Sequence, residues 1–418
     1  MKQDNNGKTL WTRDFTIITL GSVVSMLGNS MAGFAMSLMV LDVSKSTWMF
    51  AIYMASFTVP QLLVPIFSGA VLDRFSRKKM IYILDFISAA MYALLAVILH
   101  MGWYHFGAFI VYTFVLGCIQ SIYMVAFDSF YPLLITEGFY QKAYSIASTL
   151  EMVTSLVIPV ATFVYKTFGL EILLVFNAVS FFIAAVMETQ IRHQEAYVES
   201  QKTTRDEELS YFRQVFRDLK EGADYVKTER GLLAVAVYFF FSSLCYGVGD
   251  VIALPYFKAN FTNGEYVFMF VWGASCIGRL IGGALHYKFV LPAKYRYTIA
   301  MGVYLAINLM GATYLYLPLT VMIAFQFMDG ILGVTSYTIR ISATQSYVPD
   351  EKKGRFNGFF NMLFSGGCLV GQLMAGVLTL FMTERMSVFA TCMLAVAAAI
   401  VLIGGNKKYI APIYNRES

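Results

Sequence analysis

The stretch GAVLDRFSRKKMIYILD, Gly69 to Asp85, joins two long apolar runs and places one acid and four bases between them: Asp73, Arg74, Arg77, Lys78 and Lys79. Each run is long enough to cross a bilayer as a helix, because about 20 residues span the roughly 30 Å hydrocarbon core. Lysine and arginine concentrate in the cytoplasmic loops of membrane proteins. The stretch therefore predicts a cytoplasmic connection between two membrane-spanning helices.

The composition of the whole chain extends this prediction. Of its 418 residues, 58% are hydrophobic and 14% are charged, and the mean hydropathy is +0.62. Soluble domains carry about 25% charged residues. The apolar runs are unbroken, whereas the strands of a membrane β-barrel alternate over about ten residues. We therefore predict an all-α integral membrane protein.

Twelve stretches have the length and hydropathy of a membrane-spanning helix. Lysine and arginine gather at the termini and in the even-numbered connections, and only Lys45, Lys166, Lys258 and Arg385 lie in the connections on the other side. This bias predicts a multi-pass protein of the cell membrane with both termini in the cytoplasm. The predicted spans are 14–41, 48–72, 80–101, 104–127, 141–165, 169–189, 231–257, 264–288, 296–316, 318–343, 357–382 and 385–404.

The longest connection divides these spans into six plus six. It is charged, and its apolar residues recur at helical spacing, which predicts an amphipathic helix on the cytoplasmic side: Phe212, Phe216, Leu219, Ala223 and Val226. We favour a structural linker over a regulatory element. We therefore expect an N-terminal six-helix bundle (1–189), a linker (190–230) and a C-terminal six-helix bundle (231–418). This layout is typical of transporters built from two related halves.

The quoted stretch resembles the signature between helices 2 and 3 of the major facilitator superfamily. The matching residues are Gly69, Asp73, Arg74, Arg77, Lys78 and Lys79, and the sequence departs from the signature at Ser76, where the family often has glycine. PDEKKGRFNGFF and RDLKEGADYVKTERGLL further resemble the macrolide-efflux-type branch of drug exporters. The resemblance implies a transporter of twelve helices in two pseudo-symmetric bundles.

The resemblance also implies a gating role for the signature. In the family, the Asp73 position caps the start of helix 11 when the transporter is open to the outside, and the Arg77 position pairs with an acid at the end of helix 4, here Asp128. A helix N-terminus carries unpaired N–H groups and partial positive charge, so a carboxylate there can latch two halves together. The alternative is that the cluster only anchors the topology.

Ionisable residues inside predicted spans are candidates for substrate or ion contacts, because burying charge in a bilayer is costly. Glu151 and Arg279 each lie nine residues from a cytoplasmic span end, about 14 Å deep. Helices 5 and 8 are neighbours in the family, so these two side chains are expected to meet between the halves. The interpretations left open are a coupling or substrate role, a static ion pair, and no contact.

Asp329 lies about 16 Å into span 10, close to the bilayer midplane, and is a candidate proton carrier or cation contact. Asp250 follows Tyr246 by one turn in span 7 and lies nearer the outer end. The alternative for Asp329 is a hydrogen bond to a neighbouring helix. The alternative for Asp250 is a structural acid whose charge costs little because it is hydrated near the outer end of its span.

Polar and aromatic residues on the helices that line the cavity in the family complete the candidate set. Asn29 and Gln120 are each expected either to contact substrate or to bond a neighbouring helix. Tyr246 and Tyr337 are each expected either to line the cavity or to face lipid or pack between helices. Acids together with aromatic rings suit bulky, cationic, amphipathic compounds. The pairs Gly278–Gly282 and Gly367–Gly371 predict closely approaching helix surfaces, which we expect between the halves.

The sequence offers no pattern for other chemistry. A GxxxxGK[ST] phosphate loop is absent, and histidines and cysteines show no metal-ligand spacing, so we predict neither an enzyme nor a cofactor or metal site. Nucleic acid is not an expected partner. The favoured hypothesis is a monomeric secondary active exporter of hydrophobic or amphipathic small molecules, coupled to protons, in contact with membrane lipid. The alternatives are a lysophospholipid flippase of the same fold and a non-transporting membrane sensor.

Overall fold

The computed structural model describes residues 9–72, 75–136, 139–140, 142–143, 146–147, 150, 154, 157–193, 217, 220–289 and 291–416. These residues form helices joined by short connections, and the described ranges contain no strand. In chain order the helices are α1 (Arg13–Ser44), α2 (Thr47–Leu72), α3 (Arg77–His100), α4 (Phe106–Phe130), α5 (Ile158–Phe168), α6 (Leu170–Thr189), α7 (Arg230–Asn260), α8 (Gly264–Lys288), α9 (Arg296–Thr313), α10 (Leu319–Tyr347), α11 (Asp350–Phe381), α12 (Glu384–Ala398) and α13 (Lys407–Tyr414).

Eleven helical segments of the described chain are long and apolar enough to cross a membrane. This confirms the predicted class, an all-α integral membrane protein. The remaining predicted span, 141–165, falls largely outside the described residues and is represented here by α5. Helix α11 begins at Asp350 rather than at 357. The reason is that Lys, Glu and Arg are good helix formers, so the helix extends beyond the apolar window that a hydropathy scan detects.

Contacts between Cα atoms divide the chain into two compact units. Unit 1 comprises Met1–Val43 and Ser56–Phe212, and unit 2 comprises Ser44–Ala55 and Arg213–Ser418. The first turns of α2 therefore belong to unit 2, where Trp48 and Ala51 pack against Gly376 of α11. Each unit is described by itself below.

In unit 1, α3 packs along α6 over an extensive interface. The rings of Tyr92 and Phe181 stack with centroids 5.7 Å apart and planes inclined by 8°. The start of α3 is capped by Ser76, whose hydroxyl oxygen accepts a hydrogen bond from the backbone N–H of Lys79 at 3.2 Å. Ser76 thus provides a capping group that the glycine common at this position in the family cannot supply.

In unit 2, two helix crossings are made possible by glycine. A Cβ atom on Gly278 of α8 would lie 2.1 Å from the carbonyl oxygen of Phe327 in α10, and one on Gly371 of α11 would lie 2.1 Å from that of Leu244 in α7. These glycine surfaces therefore pack within unit 2, and the expectation that they lie between the halves is corrected. A stripe of small residues predicts close approach but does not identify the partner helix.

The helical segment 220–228 packs against the start of α11. Glu221 and Arg355 form an ion pair at 2.8 Å, and the ammonium group of Lys352 lies 4.4 Å from the ring centroid of Tyr225. Val226 is fully buried. The described part of the predicted amphipathic helix therefore has one buried face, and its earlier residues, Phe212, Phe216 and Leu219, lie outside the described residues.

Candidate functional site

Four of the residues predicted from the sequence converge in unit 2: Tyr246 and Asp250 on α7, Arg279 on α8 and Asp329 on α10. The hydroxyl group of Tyr246 is close enough to interact electrostatically with all three charged side chains. We call these four residues the unit 2 polar cluster. Three helices contribute to it. The fold therefore brings together residues that the sequence predicts only as separate candidates.

The crossing of α8 and α10 explains why Arg279 and Asp329 are neighbours. Arg279 follows Gly278, and Asp329 precedes Gly330, and both glycines lie where the two helices cross. A Cβ atom on Gly330 would lie 2.8 Å from the backbone nitrogen of Arg279. Arg279 acts electrostatically on Asp329. An opposite charge nearby lowers the cost of placing either group in a membrane protein. The partner predicted for Arg279, Glu151, lies outside the described residues, and the described neighbour of Arg279 is Asp329.

Asp250 has a hydrogen-bond donor that the sequence analysis missed. The amide Nε2 of Gln372 on α11 donates to Asp250 Oδ2 at 3.4 Å. Gln372 is 3% exposed, and its Oε1 atom has no hydrogen-bond partner in the part of the chain that the structure describes. Its position next to Gly371, in a predicted glycine surface, is the one feature of the sequence that indicates a role for Gln372. A search restricted to ionisable residues does not include a neutral amide.

The unit 2 polar cluster lies on an accessible surface. The side chains of Tyr246 and Tyr337 are 56% and 57% exposed, Arg279 is exposed, and the two acids are half-buried. Charged groups do not remain against hydrocarbon without a large cost. This face of α7, α8 and α10 therefore borders water or a polar ligand. Its carboxylates and aromatic faces are the groups that attract organic cations.

Farther along α10, Arg340 is enclosed by three aromatic rings. Its guanidinium carbon lies 4.3 Å from the ring centroid of Phe360, 5.1 Å from that of Phe239 and 5.4 Å from that of Tyr337. Cation–π contacts on several sides hold the guanidinium in place. Tyr337 thus connects Arg340 to the accessible face that carries the polar cluster.

Two predicted polar residues lie in unit 1. Asn29 Oδ1 accepts a hydrogen bond from the hydroxyl of Tyr92 at 3.0 Å, which ties α1 to α3. Gln120 on α4 is half-buried. The structure thus gives Asn29 a partner on a neighbouring helix, one of its two predicted alternatives.

The gating residues are described in part. Arg77 Nη1 donates to the carbonyl oxygen of Ser129 at 3.1 Å, at the end of α4, and the neighbouring Asp128 is exposed. Lys78 Nζ donates to the carbonyl oxygen of Ile191, just after α6. Asp73 and Arg74 lie outside the described residues. Gly69 lies in the last turns of α2, and the burial of residues 66–72 is not described.

The sequence analysis missed two buried acids in unit 1. Asp85 on α3 is 1% exposed and Glu188 on α6 is 0% exposed, and the two carboxyl groups are close enough to interact. Both lie near the predicted ends of their spans, where hydration makes charge inexpensive, so position alone did not distinguish them. Among the described residues, no group of three or more His, Cys, Asp and Glu side chains is arranged to hold a metal ion.

Relatives of the chain are transporters. It is 23% identical over 401 residues to "Uncharacterized MFS-type transporter YfiS" of Bacillus subtilis (strain 168), covering 93% of this chain and 91% of that one. It is 21% identical over 293 residues to "Uncharacterized MFS-type transporter YkuC" of the same organism, covering 67% and 66%.

Two solved structures share the fold. A bacterial homologue of the iron transporter ferroportin in an inward-facing state superposes with a TM-score of 0.70 at 13% identity, covering 96% of this chain and all of that one. The nucleoside transporter NupG superposes with a TM-score of 0.63 at 14% identity, covering 94% and 98%. Residues 18–372 match the sequence profile of the Major Facilitator Superfamily. With eleven apolar helical segments among its described residues and a matching profile across most of its length, the chain belongs to the Major Facilitator Superfamily.

Proposed function

We propose that this secondary transporter exports hydrophobic or amphipathic small molecules, with a preference for cations, by alternating access coupled to a proton gradient. The observation that carries the proposal is the unit 2 polar cluster on an accessible face that also carries exposed aromatic rings. The export direction and the drug-exporter branch rest on the resemblance of PDEKKGRFNGFF and RDLKEGADYVKTERGLL to macrolide-efflux-type proteins.

The charge of the cluster supports a cationic substrate. Two carboxylates, Asp250 and Asp329, and one guanidinium, Arg279, leave a net charge of −1 when all three are ionised (−2 + 1). An organic cation placed there compensates this charge, and the ring of Tyr246 offers a π face for its apolar body. The half-buried acids are also suited to accept a proton, so protons and a cationic substrate can compete for the same carboxylates.

Arg77 and Asp128 are proposed to act in gating. Arg77 reaches the last turn of α4 through the carbonyl oxygen of Ser129, the residue after Asp128. A basic group bound at the C-terminal end of a helix is favourable because unpaired carbonyl oxygens concentrate there. We propose that this contact and the contact of Lys78 with Ile191 hold the connection between α2 and α3 in one conformational state of the transport cycle.

The alternative function, a lysophospholipid flippase, is favoured by one observation. Arg279 is exposed among exposed apolar neighbours on α8: Ile277 (53%), Leu280 (50%) and Ile281 (40%). A guanidinium at the edge of an apolar surface suits a phosphate headgroup with its acyl chain alongside. In this alternative Arg279, rather than the acids, is the main substrate contact.

A binding experiment separates the two functions. The detergent-purified chain is titrated with a quaternary ammonium amphiphile, its neutral isostere and a lysophospholipid, and the thermal unfolding midpoint is measured. We expect the cation to raise the midpoint most, and Asp250→Asn with Asp329→Asn to abolish that increase. Glu384→Gln, which makes the same change at the start of α12, serves as the control. If only lysophospholipid raises the midpoint, and Arg279→Gln abolishes that increase, the proposed export is contradicted and the flippase is supported.

A further inference from the structure

Unit 1 contains a buried group of oxygen atoms that the polar cluster of unit 2 does not explain. Asp85 comes from α3 and Glu188 from the last turn of α6, and their carboxyl groups face each other. We call them the unit 1 carboxyl pair. Asp85 lies eight residues after the start of α3, about 12 Å along the helix. Both acids therefore lie toward the end of unit 1 where α1 and α3 begin and α4 and α6 end.

The carboxyl pair lacks a compensating group among the described residues. All four carboxylate oxygens are shielded from solvent, and none has a hydrogen-bond partner among the described residues apart from the other member of the pair. The nearest bases along α3 are engaged elsewhere, since Arg77 donates to Ser129 and Lys78 donates to Ile191. Two carboxylates at short range inside a protein cannot both remain charged without a proton or a cation between them. The geometry therefore requires an occupant.

Three buried hydroxyl groups supply the independent sign of a ligand. Thr19 Oγ1 and Ser22 Oγ on α1 and the hydroxyl of Tyr123 on α4 are also shielded, and among the described residues none of them makes a hydrogen bond of good geometry, although Tyr123 lies within reach of Ser22 and Ser25. Their residues are 5%, 8% and 9% exposed. Tyr123 interacts electrostatically with both members of the carboxyl pair and lies close to Ser22. Polar groups buried in proteins are almost always satisfied, so several orphaned oxygens at one point indicate a missing partner.

We propose that Asp85 and Glu188, together with Thr19, Ser22 and Tyr123, form a binding site for one hard monovalent cation, H+ or Na+. All five side chains provide oxygen atoms, and hard cations prefer oxygen ligands. The titratable groups that face the site are Asp85 from α3, Glu188 from α6 and Tyr123 from α4, and α1 contributes only hydroxyls. No lysine, arginine or histidine of the described chain acts on the two carboxylates.

Gly21 of α1 lies next to Glu188. An added Cβ atom at Gly21 would lie 3.4 Å from Glu188 Oε1, in ordinary van der Waals contact. Gly21 thus places the backbone of α1 beside the carboxyl group of Glu188. Resting on the proposed function, we infer that this site binds a further coupling cation, besides the proton that competes with substrate at the unit 2 polar cluster.

The test measures cation-linked stability of the full chain in detergent, which does not depend on knowing the substrate. Thermal unfolding midpoints are recorded from pH 6 to pH 9, with NaCl or choline chloride at equal ionic strength. A cation bound only by the folded state stabilises it, so the wild-type midpoint is expected to fall by about 5 °C when the occupant is withdrawn. If the midpoint in choline chloride falls as the pH rises, the occupant is H+. If NaCl restores the midpoint at pH 9, the occupant is Na+.

The variants Asp85→Asn and Glu188→Gln each replace one carboxylate by an amide of the same shape that can donate to the remaining carboxylate. Each is expected to lose the cation-linked part of the midpoint change and to be at least as stable as the wild type in choline at pH 9. Glu171→Gln, at the other end of α6, is the matched control and is expected to respond like the wild type. The site is overturned if the wild type shows no cation response, or if both amide variants respond as it does.

A transport measurement separates this inference from the proposed function. With an amphiphilic cation in proteoliposomes, Asp85→Asn is expected to lose gradient-driven accumulation and to retain downhill movement. Gradient-driven accumulation equal to wild type in Asp85→Asn overturns the coupling role. A wild-type chain that moves no amphiphile but keeps its cation-linked midpoint contradicts the proposed export and supports the cation site.

Discussion

At the scale of single residues, the two units carry charge in different ways. In unit 2, Asp329 has Arg279 as an electrostatic neighbour and Asp250 has Gln372 as a donor, and the group is accessible. In unit 1, Asp85 and Glu188 are sealed from solvent, and no base among the described residues acts on them. Accessible, compensated acids suit a ligand that enters and leaves, whereas sealed, uncompensated acids suit a small ion.

The Arg279–Asp329 interaction is testable by a double-mutant cycle. Arg279→Gln leaves Asp329 uncompensated, and Asp329→Asn leaves Arg279 without its neighbouring acid, so we expect the double variant to be more stable than the sum of the single effects predicts. Because Arg279 is exposed, the coupling should be about 0.2–1 kcal/mol, the range of solvent-screened pairs. Unfolding midpoints of the four proteins measure it, and strictly additive effects would show that the two charges do not interact.

Ser76 is predicted to stabilise α3 through its cap. Ser76→Ala should cost about 1 kcal/mol, because the N–H of Lys79 loses its acceptor, whereas Ser76→Gly should cost only a few tenths. Ser76→Asp should retain the cap and serves as the control. The measurement is the thermal midpoint, and equal stability of the Ala and Ser proteins would mean that the cap does not contribute.

At the scale of helices, glycine determines which helices approach closely. Gly278 and Gly330 let α8 and α10 cross with their backbones nearly in contact, and this crossing sets the position of Arg279 relative to Asp329. The crossing of α7 and α11 at Gly371 likewise places Gln372 beside Asp250. The positions of these glycines therefore determine which polar side chains come together in the cluster.

Two glycines one turn apart on α10 provide a matched test of this account. An added Cβ atom at Gly330 would lie 2.2 Å from the carbonyl oxygen of Ser275, whereas one at Gly333 would meet nothing within 4 Å. Gly330→Ala should destabilise unit 2 by about 1–3 kcal/mol through overpacking. Gly333→Ala should be neutral or stabilising by up to about 1 kcal/mol, because alanine is the better helix former. Equal effects on the unfolding midpoint would contradict the close crossing.

At the scale of the whole molecule, the sequence was sufficient for the class of fold and for nearly all of its helices, because an apolar window reports directly on membrane insertion. It was not sufficient for the sites. Depth and the helix neighbours of the family predict Glu151 as a partner of Arg279, and that prediction lies outside the described residues, whereas the proximity of Asp329 to Arg279 depends on the crossing of α8 and α10. Asp85 stood at the end of the stretch that decided the fold and was missed, because its significance depends on Glu188, over a hundred residues later.

The chain is proposed to bind an amphiphilic cation at the unit 2 polar cluster and to couple its export to a proton gradient. The most direct measurement is uptake of a permanently charged quaternary ammonium amphiphile into proteoliposomes with an acidic lumen. We expect accumulation above that of protein-free liposomes, its collapse when the pH gradient is dissipated, and its absence in Asp329→Asn. Accumulation that is indifferent to the gradient, or equal in Asp329→Asn and the wild type, would contradict the account.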